Sequence, residues 1–314
     1  MVINLSETAE KSSRPGRGKA KKTLDLIDTA AEILREIQPA TVRAVCYRLF
    51  VAGVLPDMSK GSTGKVSKQL VWARENGVVP WNWVVDETRG AERASLWNSP
   101  DEIIDSAVNG YRRDYWINQP YWVEVWSEKG TVRGTLAPVL NRYGVAFRVM
   151  HGYGSATALH DTADETGRAD KPLTVLYVGD WDCSGLHMSE ADMPERMARY
   201  GGQARIHRIA LTADDVGIST DLPHFPASDK TKDPRYHWFV GRYGNRCWEL
   251  DAMPPPQLRE RVENAIVALI DSAAWNRSLL VEKAEIESMR LYVEEWKASI
   301  SRQVSKYSAM EANS

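Results

Sequence analysis

Three carboxylates stand where short polar turns follow apolar runs. Glu128 lies in Trp126-Ser-Glu-Lys-Gly-Thr131, and Asp180 and Asp182 lie in Val178-Gly-Asp-Trp-Asp-Cys-Ser-Gly185. Hard oxygen donors of this kind suit Mg²⁺, which keeps several waters and takes one or two carboxylates together with phosphate oxygens. Such an ion polarises a phosphoryl oxygen and stabilises a leaving alkoxide. Three carboxylates gathered without a cation would resist ionisation, so their convergence would itself imply a metal. For Asp182 alone, capping a following helix is the simpler role.

The elements that must bring them together follow from periodicity. Tyr121–Trp126, Val145–Met150, Leu173–Val178 and Arg205–Leu211 read as strands, and Val132–Arg142, Ser155–Thr166 and Leu186–Tyr200 as helices between them. This alternation predicts an α/β fold, a Rossmann-like, mainly parallel sheet with helices on both faces, and active sites in such sheets sit at the carboxyl ends of the strands. Ahead of it, residues 23–37 carry a broad apolar face of helical period, and Thr41 opens a second helix reaching Val51. Asp57–Gly64 reads as a loop, Lys65–Asn76 as a third helix, and Val-Val-Pro-Trp-Asn-Trp-Val-Val after it as a strand. Three helices and a strand wing fit a winged helix-turn-helix, which sets a helix in the major groove; a plain three-helix packing unit is the alternative. The expected division is a flexible basic arm (1–22), a winged-helix domain (23–95), a linker helix (96–118), the α/β metal-binding domain (119–255) and C-terminal helices (256–314), the last packing on the sheet or forming a dimer contact.

On the Glu after the first strand and the Asp-x-Asp after the later one, residues 121–211 resemble a Toprim domain, the metal-binding unit of topoisomerases, primases and some nucleases. The Glu128-Lys129 pair and Gly185 bring the resemblance closest to the DNA-cleaving subunits of topoisomerase VI, a group that includes the meiotic double-strand-break protein and stand-alone Mini-A relatives. The segments Glu124–Lys129, Gly152–Ser155, Val178–Gly185 and Glu249–Met253 are also similar to phage and bacterial Toprim proteins, and the likeness spans roughly residues 40–255. Cys183 stands where the family usually has Pro, and the segment after Lys129 is shorter than in many members. The group carries a nucleophilic tyrosine in an Arg-x-x-Tyr-Tyr motif. In Thr41-Val-Arg-Ala-Val-Cys-Tyr-Arg48, Tyr47 takes the reactive position, Arg43 the arginine, and Cys46 replaces the first tyrosine. A phenol with a pKa near ~10 needs cations to ionise near neutral pH, and Arg43 lies one helical turn away. Val42, Val45, Leu49 and Phe50 equally make a helix that would bury Tyr47 as a packing residue.

The resemblance thus implies a Mg²⁺-dependent, type IIB topoisomerase-like enzyme that breaks double-stranded DNA by tyrosine transesterification, with Tyr47, Arg43 and Glu128 catalytic. It also implies a homodimer in which the tyrosine of one protomer meets the metal of the other. A nuclease using water, or a non-catalytic DNA-binding protein of a mobile element, are the other readings. Gly61-Ser-Thr-Gly-Lys-Val-Ser67 lacks Walker A spacing, so ATP-driven strand passage would need a separate ATPase subunit.

A formal net charge of −2 does not suggest a nucleic-acid binder. Residues 1–22, however, carry six basic side chains against Glu7 and Glu10, a composition suited to neutralising phosphates or to a solvated tail. Arg48, Lys65, Lys68, Lys129, Lys230, Lys232 and Arg235 are the other candidate DNA contacts. His187 and Glu190 follow the acidic pair, where ordinary packing and surface roles suffice. Three scattered cysteines support neither a zinc knuckle nor a disulfide framework, and the twelve Trp suggest packing, not a cofactor. No apolar run approaches the ~18 residues of a membrane span and no signal-like core opens the chain, so a cytoplasmic, nucleoid-associated protein is expected. Deleting residues 1–22 is expected to flatten the dependence of DNA affinity on salt concentration; an unchanged slope in anisotropy titrations would dismiss the arm.

Overall fold

The computed structural model describes residues 19–85, 96–150, 156–217 and 221–311; the arm up to residue 18 and the Gly152–Ser155 segment lie outside them. Four strands, β1 (Trp122–Ser127), β2 (Ala146–Val149), β3 (Leu173–Val178) and β4 (Ala204–Ala210), form one sheet in the order β2-β1-β3-β4. All three pairings are parallel. β3 is buried along its whole length because both faces are covered, as the continuous apolar run Leu173–Val178 predicts.

On the sheet face of Val125, Leu176 and Val178, α5 (Val132–Tyr143) contributes Leu136, Val139 and Leu140, and α10 (Pro255–Val267) contributes Leu258, Val262 and Ile266. On the face of Trp126, Val175 and Tyr177, α6 (Ala156–Arg168) brings Leu159 and Ala163, and α8 (Met193–Arg199) brings Met193 and Met197. The segment expected as one helix from Leu186 instead starts at Cys183 as α7 (Cys183–His187), passes through a π-turn at Met188–Asp192 and continues as α8. Pro194 lacks the amide that an unbroken α-helix needs there, and the wider turn accommodates it.

The N-terminal unit consists of α1 (Lys21–Ile37), α2 (Val42–Val51) and α3 (Lys60–Glu75) around their own core of Ile27, Leu34, Val45, Leu49, Val66 and Leu70. Thr41 caps α2, its hydroxyl accepting from the Ala44 amide at 3.1 Å. Two expectations change here. The loop assigned to residues 57–64 ends early, because the Ser59 hydroxyl accepts from the Ser62 amide and starts α3 at Lys60 despite Gly61 and Gly64. The strand-like stretch after α3 is a 3-10 turn at Trp81–Trp83, with one bridge between Ala40 and Val84. Pro80 fixes the chain in a turn there, so the described residues show a three-helix unit and no wing of paired strands.

The linker helix is shorter than expected. α4 (Pro100–Gly110) starts where Ser99 caps the Glu102 amide and Pro100 takes the first turn, and Asp114 caps a separate 3-10 turn, Tyr115–Asn118. After the sheet come a two-residue pair, β5 (Phe225–Pro226) with β6 (Arg246–Cys247), and between them α9 (Tyr236–Tyr243). The tail breaks between Val267 and Ser272; Asp271 accepts from the Ala274 amide and starts α11 (Ser272–Glu311). α11 packs on α4. No described helix is long and apolar enough to cross a membrane.

Arg259 on α10 ties the two units, its guanidinium donating to the carbonyls of Pro39 at 3.1 Å and of Ile37 and Gln38 at 3.2 Å. Those carbonyls close α1 and lead to α2. Arg259→Ala leaves them unmatched and is expected to cost ~1–3 kcal/mol of stability, read as a lower urea midpoint with secondary structure retained.

Candidate metal centre

β1 and β3 are adjacent, with Ser127 opposite Val178, so Glu128 and Gly179 leave the sheet side by side. β2 lies beyond β1 and β4 beyond β3, which makes the gap between β1 and β3 the place where the winding direction reverses. Parallel sheets bind ligands at such a point, outside the carboxyl ends of the strands.

The turn after β3 is held from all sides. Asp182 is the helix cap that the sequence suggested as its simplest role: Oδ1 accepts from the Gly185 amide at 2.8 Å and from the Ser184 amide and hydroxyl at 3.0 and 2.9 Å. Its Oδ2 meets Lys230 Nζ at 3.0 Å. Asp180 is divided in the same way, Oδ1 accepting from the Leu250 amide at 2.8 Å and Oδ2 from Lys129 Nζ at 2.9 Å. Leu250 is in place because Trp181 and Trp248 exchange two backbone hydrogen bonds of 2.9 and 3.0 Å. Behind the turn the half-buried Arg208 donates from its guanidinium to the carbonyls of Gly179 (3.0 Å), Asp180 (3.2 Å) and Gly185 (2.6 Å). Gly185 must be glycine, since a Cβ there would stand 2.4 Å from the Asp180 carbonyl oxygen.

The Trp181–Trp248 bridge also delivers Glu249 and Asp251, which no role was assigned in the sequence. Lys129 Nζ lies 3.6 Å from Glu249 and 3.5 Å from Asp251, and Arg43 Nε lies 2.9 Å from Glu249 and 3.5 Å from Asp251. The signal for them was present, because Glu249-Leu-Asp251 repeats the spacing of Asp180-Trp-Asp182. Through Glu249, α2 is drawn to the sheet, and Tyr47 comes with it. The Tyr47 hydroxyl interacts with Glu249 of its own chain and with Arg43, whose guanidinium stands 5.7 Å from the ring. Only 6% of Tyr47 is exposed. Burial, and then Glu249, push its phenol above the ordinary value, while Arg43 pulls the other way.

Five carboxylates (Glu128, Asp180, Asp182, Glu249, Asp251) thus share this end of the sheet with Arg43, Lys129, Lys230 and, behind the turn, Arg208. Burial raises the Glu128 carboxyl above its ordinary range, helped by Asp180 and Asp182. Burial also raises Asp180, against the pull of Lys129 and the Leu250 amide. For Asp182 burial is outweighed by the Gly185 amide and Lys230, and the carboxyl is lowered. Among the described residues no three acidic, imidazole or thiol groups close on one point as they stand; the outer oxygen of each aspartate is turned to a lysine. The donors nevertheless fit a hard divalent ion, being carboxylates with negative charge to spare. Nearby, the fully buried Tyr177 hydroxyl has no hydrogen-bond partner among the described residues, an unfilled donor that bound water would satisfy.

The other candidates are dispersed. Lys65 and Lys68 are exposed on α3, and Lys232 is exposed near Lys230. Arg48 lines a cavity of about 560 Å³ together with Asp214, Asp215 and Asp221. Arg235 folds onto Asp233 at 2.6 Å. His187 packs edge-on to Trp238 at 5.2 Å, and Glu190 accepts from the Tyr243 hydroxyl. Cys46, Cys183 and Cys247 are free and buried. The sequence matches no known family profile, and no curated protein is detectably similar to it.

A carboxyl whose folded pKa lies above its unfolded one contributes stability at low pH that is lost as pH rises through the folded value. Glu128→Gln stays neutral throughout. It is expected to raise the metal-free melting temperature by a few degrees at neutral pH and to change it little near about pH 4. It should also remove any stabilisation by Mg²⁺; a variant melting below the wild type at neutral pH would reverse the assigned sign.

Proposed function

We propose that this chain binds Mg²⁺ through Glu128, Asp180 and Asp182 and cleaves phosphodiester bonds of double-stranded DNA, the α/β unit being Toprim-like and the three-helix unit a winged-helix relative. The observation that supports the reading is the placement of these carboxylates just past the carboxyl ends of adjacent parallel strands, with Arg43 and Tyr47 tied to the same end of the sheet through Glu249. Bound Mg²⁺ would supply a Lewis acid for a phosphoryl oxygen. Arg43 and Lys129 offer cations to the phosphate, Arg43 being the one that favours a phenoxide at Tyr47.

In the first reading Tyr47 is the nucleophile. Its oxygen bonds to phosphorus, its proton passes to the neighbouring Glu249 carboxylate, and the bond to the 3′ oxygen breaks. A 5′ phosphotyrosine remains, and the 3′ oxygen leaves as a hydroxyl after taking a proton from water, the resulting hydroxide being neutralised by the proton held on Glu249. Storing the phosphodiester energy in that bond permits religation. The burial of Tyr47 and the raised pKa of its phenol favour a second reading, in which water attacks and Tyr47 packs. A homodimer making paired cuts, and a separate ATPase subunit for strand passage, belong to the first reading.

Trapping separates the two. Supercoiled DNA is incubated with protein and Mg²⁺, denatured, and examined for protein on 5′ ends. An adduct lost in both Tyr47→Phe and Asp180→Ala is expected. Cleavage that survives Tyr47→Phe but not Asp180→Ala selects the water reading, and DNA binding without metal-dependent cleavage in the wild type ends both.

A further inference from the structure

We infer that Lys129 and Lys230 are exchangeable counter-ions, each holding the outer oxygen of one aspartate until a divalent cation takes it, and each then turning to the DNA phosphates. This rests on the metal reading above and concerns how that site is loaded.

The two aspartates share one design. One oxygen is fixed by amides, of Leu250 for Asp180 and of Ser184 and Gly185 for Asp182. The other is held, among the described residues, by an ammonium alone, at 2.9 Å for Lys129 and 3.0 Å for Lys230. Backbone donors cannot leave without unfolding the turn, whereas an ammonium on a four-carbon stem can swing away. Both lysines have a way out, their side chains being 28% and 40% exposed. Lys129 has Glu249 and Asp251 within 3.6 Å to receive it. Lys230 lies over the Phe225 ring at 5.8 Å and starts from the exposed segment after β5.

Exchange has a thermodynamic consequence. Without DNA the lysines compete with the metal, so they weaken its binding. Once displaced from the aspartates, their positive charge is available to the phosphate, Lys129 doing so from beside Glu249 and Asp251. Metal and DNA therefore bind with positive coupling, and the coupling is reciprocal.

Calorimetric titration of Mg²⁺ into the full chain without DNA tests this. Lys129→Ala and Lys230→Ala are each expected to bind Mg²⁺ about two- to fivefold more tightly than the wild type, the scale of a part-exposed ion pair. Lys232→Ala removes the same charge two residues from Lys230 without touching an aspartate and should shift the affinity less than that. With Ca²⁺ in place of Mg²⁺, duplex affinity followed by anisotropy should rise in the wild type and rise less in the Lys129→Ala/Lys230→Ala double variant. Lys→Gln variants replace any alanine variant whose circular dichroism shows misfolding. Lysine variants that bind Mg²⁺ no more tightly than the wild type, or a Lys232→Ala effect equal to that of Lys230→Ala, would overturn the exchange. If the wild type takes up Mg²⁺ and Asp180→Ala does not, only the exchange has failed; if the wild type takes up none, the metal reading falls and the exchange with it.

Discussion

A carboxylate withdrawn from water has to be met by hydrogen-bond donors or by opposite charge, and at the end of β3 this requirement organises the surroundings. Asp180 and Asp182 are 9% and 3% exposed. The amides that receive them belong to the start of α7 and to the segment after β6, so both must be in place before the turn can exist. The Trp181–Trp248 bridge supplies one and the glycine at 185 the other. Arg208 reaches the same turn from β4 and satisfies the carbonyls that its tight curvature turns inward. Gly179 contributes a second close approach, since a Cβ there would stand 2.6 Å from the Tyr177 ring.

The same demand for charge couples the helical unit to the sheet. Arg43 stands on α2 and its carboxylate partners stand on the segment after β6, while Arg259 holds the carbonyls that close α1. The first contact is ionic and half-exposed, and the second consists of hydrogen bonds to backbone. The former is the more easily rearranged, because a long charged side chain can change partners without breaking backbone hydrogen bonds. Arg259 thus holds the two units together through backbone carbonyls, and Arg43 adds an ionic contact that does not depend on them.

Raised carboxyl groups at Glu128 and Asp180 work against the fold at neutral pH. Such unfavourable arrangements persist where they are needed for something other than stability. The Arg148–Glu124 pair on β2 and β1 makes a contrast. There two contacts of 3.0 Å and the indole N–H of Trp126 satisfy a buried glutamate completely, and the result is a structural clasp.

Features that depend on neighbours along the chain were legible from residue order alone. Apolar runs marked β1, β3 and β4 within a residue or two, Thr41 marked the start of α2, and strand-helix alternation implied parallel pairing. The same patterns placed Glu128, Asp180 and Asp182 just past strand ends, and the pairing of β1 with β3 in the sheet put those ends side by side. Polar or mixed local signals misled, as at Lys60–Gly64, whose helix rests on the Ser59 cap, and at Val78–Val85, which reads as a strand but turns at Pro80. Which groups meet was settled by packing across the fold. Glu249 and Asp251 reach the centre through a bridge between residues 181 and 248, and Lys129 and Lys230 face aspartates where phosphate contacts were expected. Tyr47 is buried against its own chain's Glu249. Secondary structure is set by short-range backbone geometry and periodicity, whereas the pairing of charges is set by distances between remote segments, which no local pattern encodes.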